Sequence, residues 1–259
     1  MWGPISRFSA SFIPIQNLLN SSNYIKTALC LFLTLTSSCS RLTKYMPNSN
    51  VSFVDEFDSE EHFNSLWVDA SQRSPKSYTL ENDNLKITTR AYSTDRVKVK
   101  TKNKKLSVGS YQWRIFIPEM KLNERCSIGA FLYNDDQHEL DFEIGSGILS
   151  HRKQMNAQST DLLLYCTAQS QANNSTIVLV KSNSWVNLKL VLSKGENSFY
   201  NVKWFLNDKL IKQAQLNYGN SFKYSAYCSL ENIPFIGESI PTQDNYTLFD
   251  EFEYKSLEF

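Results

Sequence analysis

The chain has 259 residues, with 27 Lys and Arg, 26 Asp and Glu and three His, so its formal charge at pH 7 is +1. Because nucleic-acid-binding proteins usually carry a clustered basic excess, this balance argues against a nucleic acid as partner. A hydrophobic fraction of 41% supplies a sizeable core, and a charged fraction of 20% is too low for a disordered chain, so we expect a folded protein.

The N-terminal region, residues 1–38, has the pattern of a targeting segment. It contains Arg7 and Lys26 but no acidic residue, and an apolar run over 28–33 follows Lys26. That run is too short to span a bilayer, which takes ~20 residues, but it suits the hydrophobic region of a signal peptide. Small residues directly precede Cys39 at the end of the apolar run, and this pattern resembles a bacterial lipoprotein signal. We expect an extracytoplasmic protein anchored to a membrane by lipid on Cys39; plain secretion and a buried hydrophobic segment are the alternatives.

The rest of the chain predicts one all-β domain. Residues 39–50 are polar and indicate a tether, so the domain should span 51–259. Apolar and polar residues alternate with a period of two in runs that turn signals separate: 85–89, 96–100, 111–117, 177–180, 186–192 and 202–206. No stretch of 12 or more residues has a convincing helical stripe, and only 58–63 could form one short helical turn. Many short antiparallel strands without an internal repeat predict a single β-sandwich or jelly roll, which we expect to be monomeric.

The cysteines and histidines give no sign of a cofactor or a structural metal. The three His are scattered, and no two Cys have the Cys-x-x-Cys spacing of zinc and redox sites. If Cys39 carries lipid, three cysteines remain in the domain, so at most one disulfide can form. The preferred interpretation is that all three are small buried apolar side chains: Cys126, Cys166 and Cys228.

An acidic strand is the most informative feature of the sequence. Glu139, Asp141 and Glu143 alternate with three apolar residues, which in a β-strand puts three carboxyls on one face. Neighbouring carboxylates repel, so at least one pKa must rise. A raised-pKa acid beside an ionised carboxylate is what cleavage of a glycosidic bond requires. The apolar alternate face predicts a central strand whose acids project into a cleft; a polar or cation-binding sheet face is the structural alternative.

The motif Glu-Leu-Asp-Phe-Glu at 139–143 resembles the Glu-x-Asp-x-Glu signature of glycoside hydrolase family 16. Further segments are similar to that family in matching order: Val54-Asp55-Glu56-Phe57 with Trp67, and the stretches 81–87, 109–115, 185–188, 202–208 and 249–254. The resemblance implies a concanavalin A-like jelly roll of two antiparallel sheets. It also implies a retaining glycosidase, acting on O-glycosyl bonds of a β-glucan or related polysaccharide, with Glu139 as nucleophile, Asp141 as its assistant and Glu143 as general acid/base.

The same resemblance implies several substrate contacts, and the sequence departs from the family pattern nearby. Two tryptophans that commonly line the cleft are missing from the strand before the acids, so the substrate is unusual, or binding is weak, or Tyr133 takes their place. Arg96 lies where the family often has a substrate-contacting arginine, against the alternative of a solvated strand charge. Tyr92 and Trp204 are further candidates for the cleft, although core packing is the default for Trp204.

Two other functions are compatible with these residues. The first is a non-catalytic glycan-binding module on the same fold, which the missing tryptophans favour. The second is a structural surface lipoprotein that uses the sandwich as an interaction platform. A contiguous groove over Glu139 and Glu143 would count against the structural role, and a cleft filled by side chains would support it.

Overall fold

The computed structural model describes residues 52–170 and 175–257. The predicted signal peptide over 1–38, the tether over 39–50 and the lipid site at Cys39 lie outside these residues and stay predictions. Within the described ranges, no helix is long and apolar enough to cross a membrane.

The described residues form mostly strands. In chain order these are β1 (Phe53–Asp55), β2 (Trp67–Asp69), β3 (Tyr78–Glu81), β4 (Asn84–Thr89), β5 (Arg96–Thr101), β6 (Gly109–Ile117), β7 (Ser127–Asp135), β8 (His138–Gly145), β9 (Asp161–Ala168), β10 (Ser175–Lys181), β11 (Ser184–Lys194), β12 (Phe199–Leu206), β13 (Lys209–Gly219), β14 (Ser225–Glu231) and β15 (Asn245–Ser256). Two short helices, α1 (Glu60–Leu66) and α2 (Leu149–Gln154), and a 3₁₀ turn at Glu196–Ser198 complete the elements.

The strands form two antiparallel sheets that pack face to face. The outer sheet has the order β13-β12-β11-β6-β15-β4-β3, and β1 also pairs with β15. The cleft sheet has the order β10-β9-β8-β7-β14-β5-β2. Their apolar faces meet in one large core, in which the rings of Trp67, Trp113 and Phe252 are almost fully buried. The predicted all-β jelly-roll sandwich is confirmed.

Local sequence explains the hairpins and the first helix. Asn82 and Asp83 have positive φ and join β3 to β4 as a two-residue loop, a conformation that Asn and Asp tolerate. Helix α1 begins after Ser59, whose Oγ accepts a hydrogen bond from the backbone N–H of His62 at 3.3 Å. The helical turn expected at 58–63 is therefore present, but it begins two residues later and ends three residues later than predicted.

All six strands expected from alternation occur, and the cysteine interpretation is confirmed. The three described cysteines are buried and free of disulfides: Cys126, Cys166 and Cys228. Helix α2 was not expected. It has six residues, and its buried Arg152 donates hydrogen bonds to the carbonyl oxygens of Ser146 at 2.6 Å and Asp161 at 2.8 Å. These partners lie outside the helix, so tertiary contacts rather than a helical stripe hold it.

Candidate active site

Strand β8 presents the three acids to a cleft of about 850 Å³. Leu140, Phe142 and Ile144 are fully buried in the core between the sheets, so the alternate residues must point the other way. Glu139, Asp141 and Glu143 all line the cleft. Because β8 has β7 and β9 on its two sides, the acids lie well inside the sheet rather than at its edge. The predicted central position of the acidic strand is confirmed.

Hydrogen bonds hold the three carboxyls in different ways. The hydroxyl of Ser127 donates to Glu143 Oε2, and Gln169 Nε2 donates to Asp141 Oδ2 at 2.9 Å. Asp141 and Glu139 also share a hydrogen bond, which favours a proton on Asp141 and a negative charge on Glu139. Asp141 Oδ1 is buried and accepts no hydrogen bond. A proton on this oxygen therefore does not replace an existing hydrogen-bond donor.

Burial raises the pKa of each acid, and neighbouring charges and hydrogen bonds make the three pKa values differ. Burial raises the pKa of Glu139 to about 7, and the hydrogen bond from Asp141 offsets part of this rise. The pKa of Glu143 rises to about 8 through burial and the nearby Glu231 carboxylate. The pKa of Asp141 is raised well above its usual range by burial and by the flanking charges of both glutamates. The arrangement thus favours the charged form of Glu139 beside the protonated forms of Asp141 and Glu143.

A second set of charged groups lies on the neighbouring strands of the cleft. Glu231 on β14 is buried and accepts hydrogen bonds from Lys98 Nζ at 2.9 Å on each of its two oxygens. Arg96 Nε donates to the same carboxylate. Lys100, two residues beyond Lys98 on β5, also lines the cleft. The sheet face therefore carries cations beside the acids rather than acids alone.

Aromatic side chains border the cleft without either of the missing tryptophans. The rings of Phe131 and Tyr227 stack at 4.6 Å between centroids, and the ring of Tyr133 meets Tyr227 edge-on at 5.8 Å. The hydroxyl of Tyr133 donates to Asp136 Oδ1 at 2.8 Å. At the rim, the side chain of Phe235 is 48% exposed, so it is the aromatic face most open to a ligand.

The structure separates the predicted substrate contacts into two groups. Arg96 and Tyr133 line the cleft, as expected from their positions. The prediction that Trp204 lines the cleft is wrong: its side chain is fully buried between the sheets, and its Nε1 donates to the backbone carbonyl oxygen of Asp141 at 3.1 Å. Tyr92 is 77% exposed and is not among the cleft-lining residues, because it lies in the turn between β4 and β5. A substrate contact by Tyr92 stays a prediction.

Sequence reasoning missed several residues of the cleft. Lys98, Lys100 and Gln169 were not proposed, nor were the aromatic residues Phe131 and Tyr227. Alternation along β5 could have identified the two lysines, because Arg96, Lys98 and Lys100 share one strand face. No local signal could have identified Gln169, which follows β9 and reaches Asp141 only through pairing of β8 with β9.

Among the described residues, no group of three or more His, Cys, Asp or Glu side chains could hold a metal ion. Several acids do lie together in the cleft, but hydroxyl, amide and ammonium groups are their partners. Ser127 bonds to Glu143, Gln169 bonds to Asp141, and Lys98 bonds to Glu231.

Comparison with known proteins bears on the fold. No family model matches the chain, and no curated protein is similar to it in sequence. Among solved structures, the chain is similar to the β-glucanase of Bacillus licheniformis, with 13% identity and a TM-score of 0.56 over 80% of this chain and 99% of that one. It is also similar to the laminarinase catalytic domain of Thermotoga maritima, with 11% identity and a TM-score of 0.57 over 82% and 100%.

A third similar structure is a prokaryotic β-1,3-1,4-glucanase (lichenase) derived from a mouse hindgut metagenome. Its identity is 12% and its TM-score is 0.55 over 80% of this chain and 100% of that one. At such identities the likeness establishes a shared fold. The jelly roll of this chain is therefore the fold of these glucan-cleaving enzymes, and nearly their whole length is matched.

Proposed function

We propose that the protein is a retaining glycoside hydrolase that cleaves O-glycosyl bonds of a β-glucan or related polysaccharide. The observation that carries this proposal is the placement of Glu139, Asp141 and Glu143 together on the face of β8 that lines one open cleft. Glu139 is favoured in its charged form by the hydrogen bond that it shares with Asp141, whereas Glu143 has its pKa raised to about 8. A nucleophile must be charged and a general acid must be protonated at the same pH.

In the first step of the proposed reaction, the Glu143 carboxyl gives its proton to the glycosidic oxygen. Glu139 attacks the anomeric carbon at the same time, so the bond to the leaving sugar breaks and a glycosyl ester forms on Glu139. Asp141 keeps its proton and donates its hydrogen bond to Glu139 in the free enzyme. This hydrogen bond lowers the pKa of the nucleophile and orients its carboxyl group.

In the second step, the Glu143 carboxylate accepts a proton from a water molecule as the water oxygen attacks the anomeric carbon. The ester bond to Glu139 breaks, which frees the sugar with its original anomeric configuration and returns Glu143 to its protonated form. Two inversions at one carbon give net retention.

The cleft supports an enzyme over a structural surface protein. A volume of about 850 Å³ lies directly over Glu139 and Glu143, and side chains do not fill it. Neighbouring β-glucanase, laminarinase and lichenase structures share the fold. The alternative is a glycan-binding module that does not catalyse. Polysaccharide binding without bond cleavage in the experiments below would support that alternative.

Release of reducing ends from a panel of β-glucans tests the proposal. Glu139→Gln and Glu143→Gln should each abolish release, whereas Glu119→Gln should match the parent, because Glu119 is exposed outside the cleft. Circular dichroism confirms that the variants are folded. Full activity in either cleft variant, or binding without cleavage by the parent across the panel, would contradict the proposed reaction.

The roles of the two glutamates can be separated by azide with an aryl glycoside, whose leaving group needs no acid. In Glu139→Ala, azide attacks the sugar directly, and a single displacement should give the inverted α-glycosyl azide. In Glu143→Ala, the glycosyl ester still forms on Glu139, and azide then gives the β-glycosyl azide. The same anomer from both variants would refute the assignment of roles.

We also propose that lipid on Cys39 anchors the domain outside the cytoplasm. The support is the cationic and apolar pattern that precedes this cysteine. Labelled fatty acid should be incorporated into the parent and not into Cys39→Ala, and the variant should leave the membrane fraction. Membrane association that survives the substitution would refute the anchor.

A further inference from the structure

The cation row of the cleft consists of Arg96, Lys98 and Lys100. These residues alternate along β5 with the buried Val97 and Val99, so all three side chains point away from the core and line the cleft. Lys98 is only 6% exposed, so a positive charge is held almost inside the protein. Burying an ammonium group is costly unless an anion compensates it, so the location of the compensating charge matters.

One carboxylate, that of Glu231, is the anionic partner of two of these three cations. Glu231 pairs with Lys98 at 2.9 Å and also accepts from Arg96. Lys100 is half-buried and makes no ion pair with any described residue. Three cations against one carboxylate leave an excess of two positive charges on the β5 and β14 side of the cleft.

The catalytic acids compensate only part of this excess, because Lys98 lowers the pKa of both Glu139 and Glu143. Strands β14 and β7 separate β5 from β8, and three strand spacings amount to ~14 Å. Asp136, the other acid of the cleft, lies in the turn between β7 and β8 and accepts the hydroxyl of Tyr133. The raised pKa values of Glu139, Asp141 and Glu143 further reduce the negative charge near pH 7.

We propose that the cation row binds an anionic group of the polysaccharide, a carboxylate or a sulfate ester, with Lys100 as its direct partner. This inference rests on the proposed glycosidase function and names the class of its substrate. A partly buried ammonium facing an anionic oxygen forms a charge-assisted hydrogen bond, which is stronger than a bond between neutral groups. A neutral glucan would leave Lys100 without an anionic partner.

The position of the row specifies where the anionic group lies. Lys100 pairs in register with Tyr227 on β14, Tyr227 pairs with Phe131 on β7, and Phe131 pairs with Asp141. A sugar chain that crosses the strands at this level passes over the two stacked rings between the catalytic acids and Lys100. The charged sugar therefore sits some units away from the cleaved bond and determines specificity rather than bond breaking.

Affinity electrophoresis tests the inference without requiring catalysis. The gels contain a uronate polysaccharide, the same polymer with its carboxyls reduced to alcohols, or a sulfated polysaccharide, each at low and high salt. The parent should bind one of the anionic polymers more tightly than the neutral one, and high salt should remove the preference. Whichever anionic polymer is bound identifies the group as carboxylate or sulfate.

Lys100→Gln should lower the ratio of anionic to neutral affinity by roughly 5- to 10-fold, the size of a partly screened ion pair. Lys100→Arg keeps the charge and should retain most of the preference. Lys203→Gln removes an exposed lysine of β12 in the other sheet and should leave the ratio unchanged. Thermal unfolding of each variant confirms that it is folded.

Three results would overturn the inference. They are the absence of a preference for either anionic polymer in the parent, an intact preference in Lys100→Gln, and a loss in Lys203→Gln as large as that in Lys100→Gln. Failure of the proposed function is distinguishable, because it is measured by reducing-end release from the anionic polymers as well as from the β-glucan panel. A protein that prefers anionic polymers but cleaves none would retain the cation-row assignment and lose the glycosidase.

Discussion

Replacing Glu143 with Gln should remove a pH-dependent loss of stability. The pKa of Glu143 is about 8 in the folded protein against an ordinary value of 4.5, so the folded state keeps a proton that the unfolded chain releases. Stability must therefore fall as pH rises from about 4.5 through about 8. The difference between these two pKa values corresponds to about 5 kcal/mol, since one pKa unit is worth about 1.36 kcal/mol.

Solvent that enters the cleft reduces this cost, because Glu143 is half-buried rather than sealed in the core. We expect the unfolding free energy of Glu143→Gln, relative to the parent, to grow by about 2 to 4 kcal/mol between pH 5 and pH 9. For a domain of this size that corresponds to a gain in melting temperature of roughly 5 to 15 °C. Scanning calorimetry and urea unfolding at single-unit steps of pH measure both quantities.

Glu119→Gln is the control, since it removes an exposed carboxyl outside the cleft. Its stability should follow the pH dependence of the parent. A difference between Glu143→Gln and the parent that stays constant from pH 5 to pH 9 would refute the reasoning. It would mean that Glu143 titrates normally and is not suited to act as an acid near neutral pH.

Three further results are expected. The kcat/KM for a β-glucan should have a bell-shaped pH profile with apparent pKa values of about 7 and about 8, because Glu139 and Glu143 titrate as an interacting pair. A flat profile from pH 5 to pH 9 would contradict this. Trp204→Phe should lower the unfolding free energy by about 2 to 4 kcal/mol in urea, because it removes buried volume and the donor to the Asp141 carbonyl, and a loss below about 1 kcal/mol would contradict that packing. The buried thiols of Cys126, Cys166 and Cys228 should resist iodoacetamide at pH 8 in the native protein and react after denaturation, as peptide mapping can measure. Alkylation of these thiols in the native protein would refute their burial.

The acidic strand could be predicted from sequence because strand geometry leaves little choice. Residues two apart must share a face, so Glu139, Asp141 and Glu143 had to lie together once their neighbours were apolar. The same rule applies to the cation row on β5. What alternation does not reveal is which strands become neighbours, and the bond from Gln169 to Asp141 depends on that pairing.

Trp204 illustrates why the cleft was only partly predictable. Along β12 it alternates with the exposed Lys203, which indicates two faces but does not say which face meets the other sheet and which meets solvent. The packing of two sheets decides this, and it places the Trp204 ring beneath β8 rather than in the cleft. Helix α2 could not be predicted for the same reason, because its buried Arg152 donates hydrogen bonds to carbonyl oxygens outside the helix.

The amino-acid sequence by itself determined the strands, the hairpin turns and the face that the three carboxyls share, because these depend on interactions between residues close in the chain. Only the tertiary structure decided the pKa order of the acids, the pairing of Glu231 with Arg96 and Lys98, and the unpaired charge of Lys100. Burial and long-range charge pairs set these properties, and both arise only when strands distant in the chain lie side by side in one sheet.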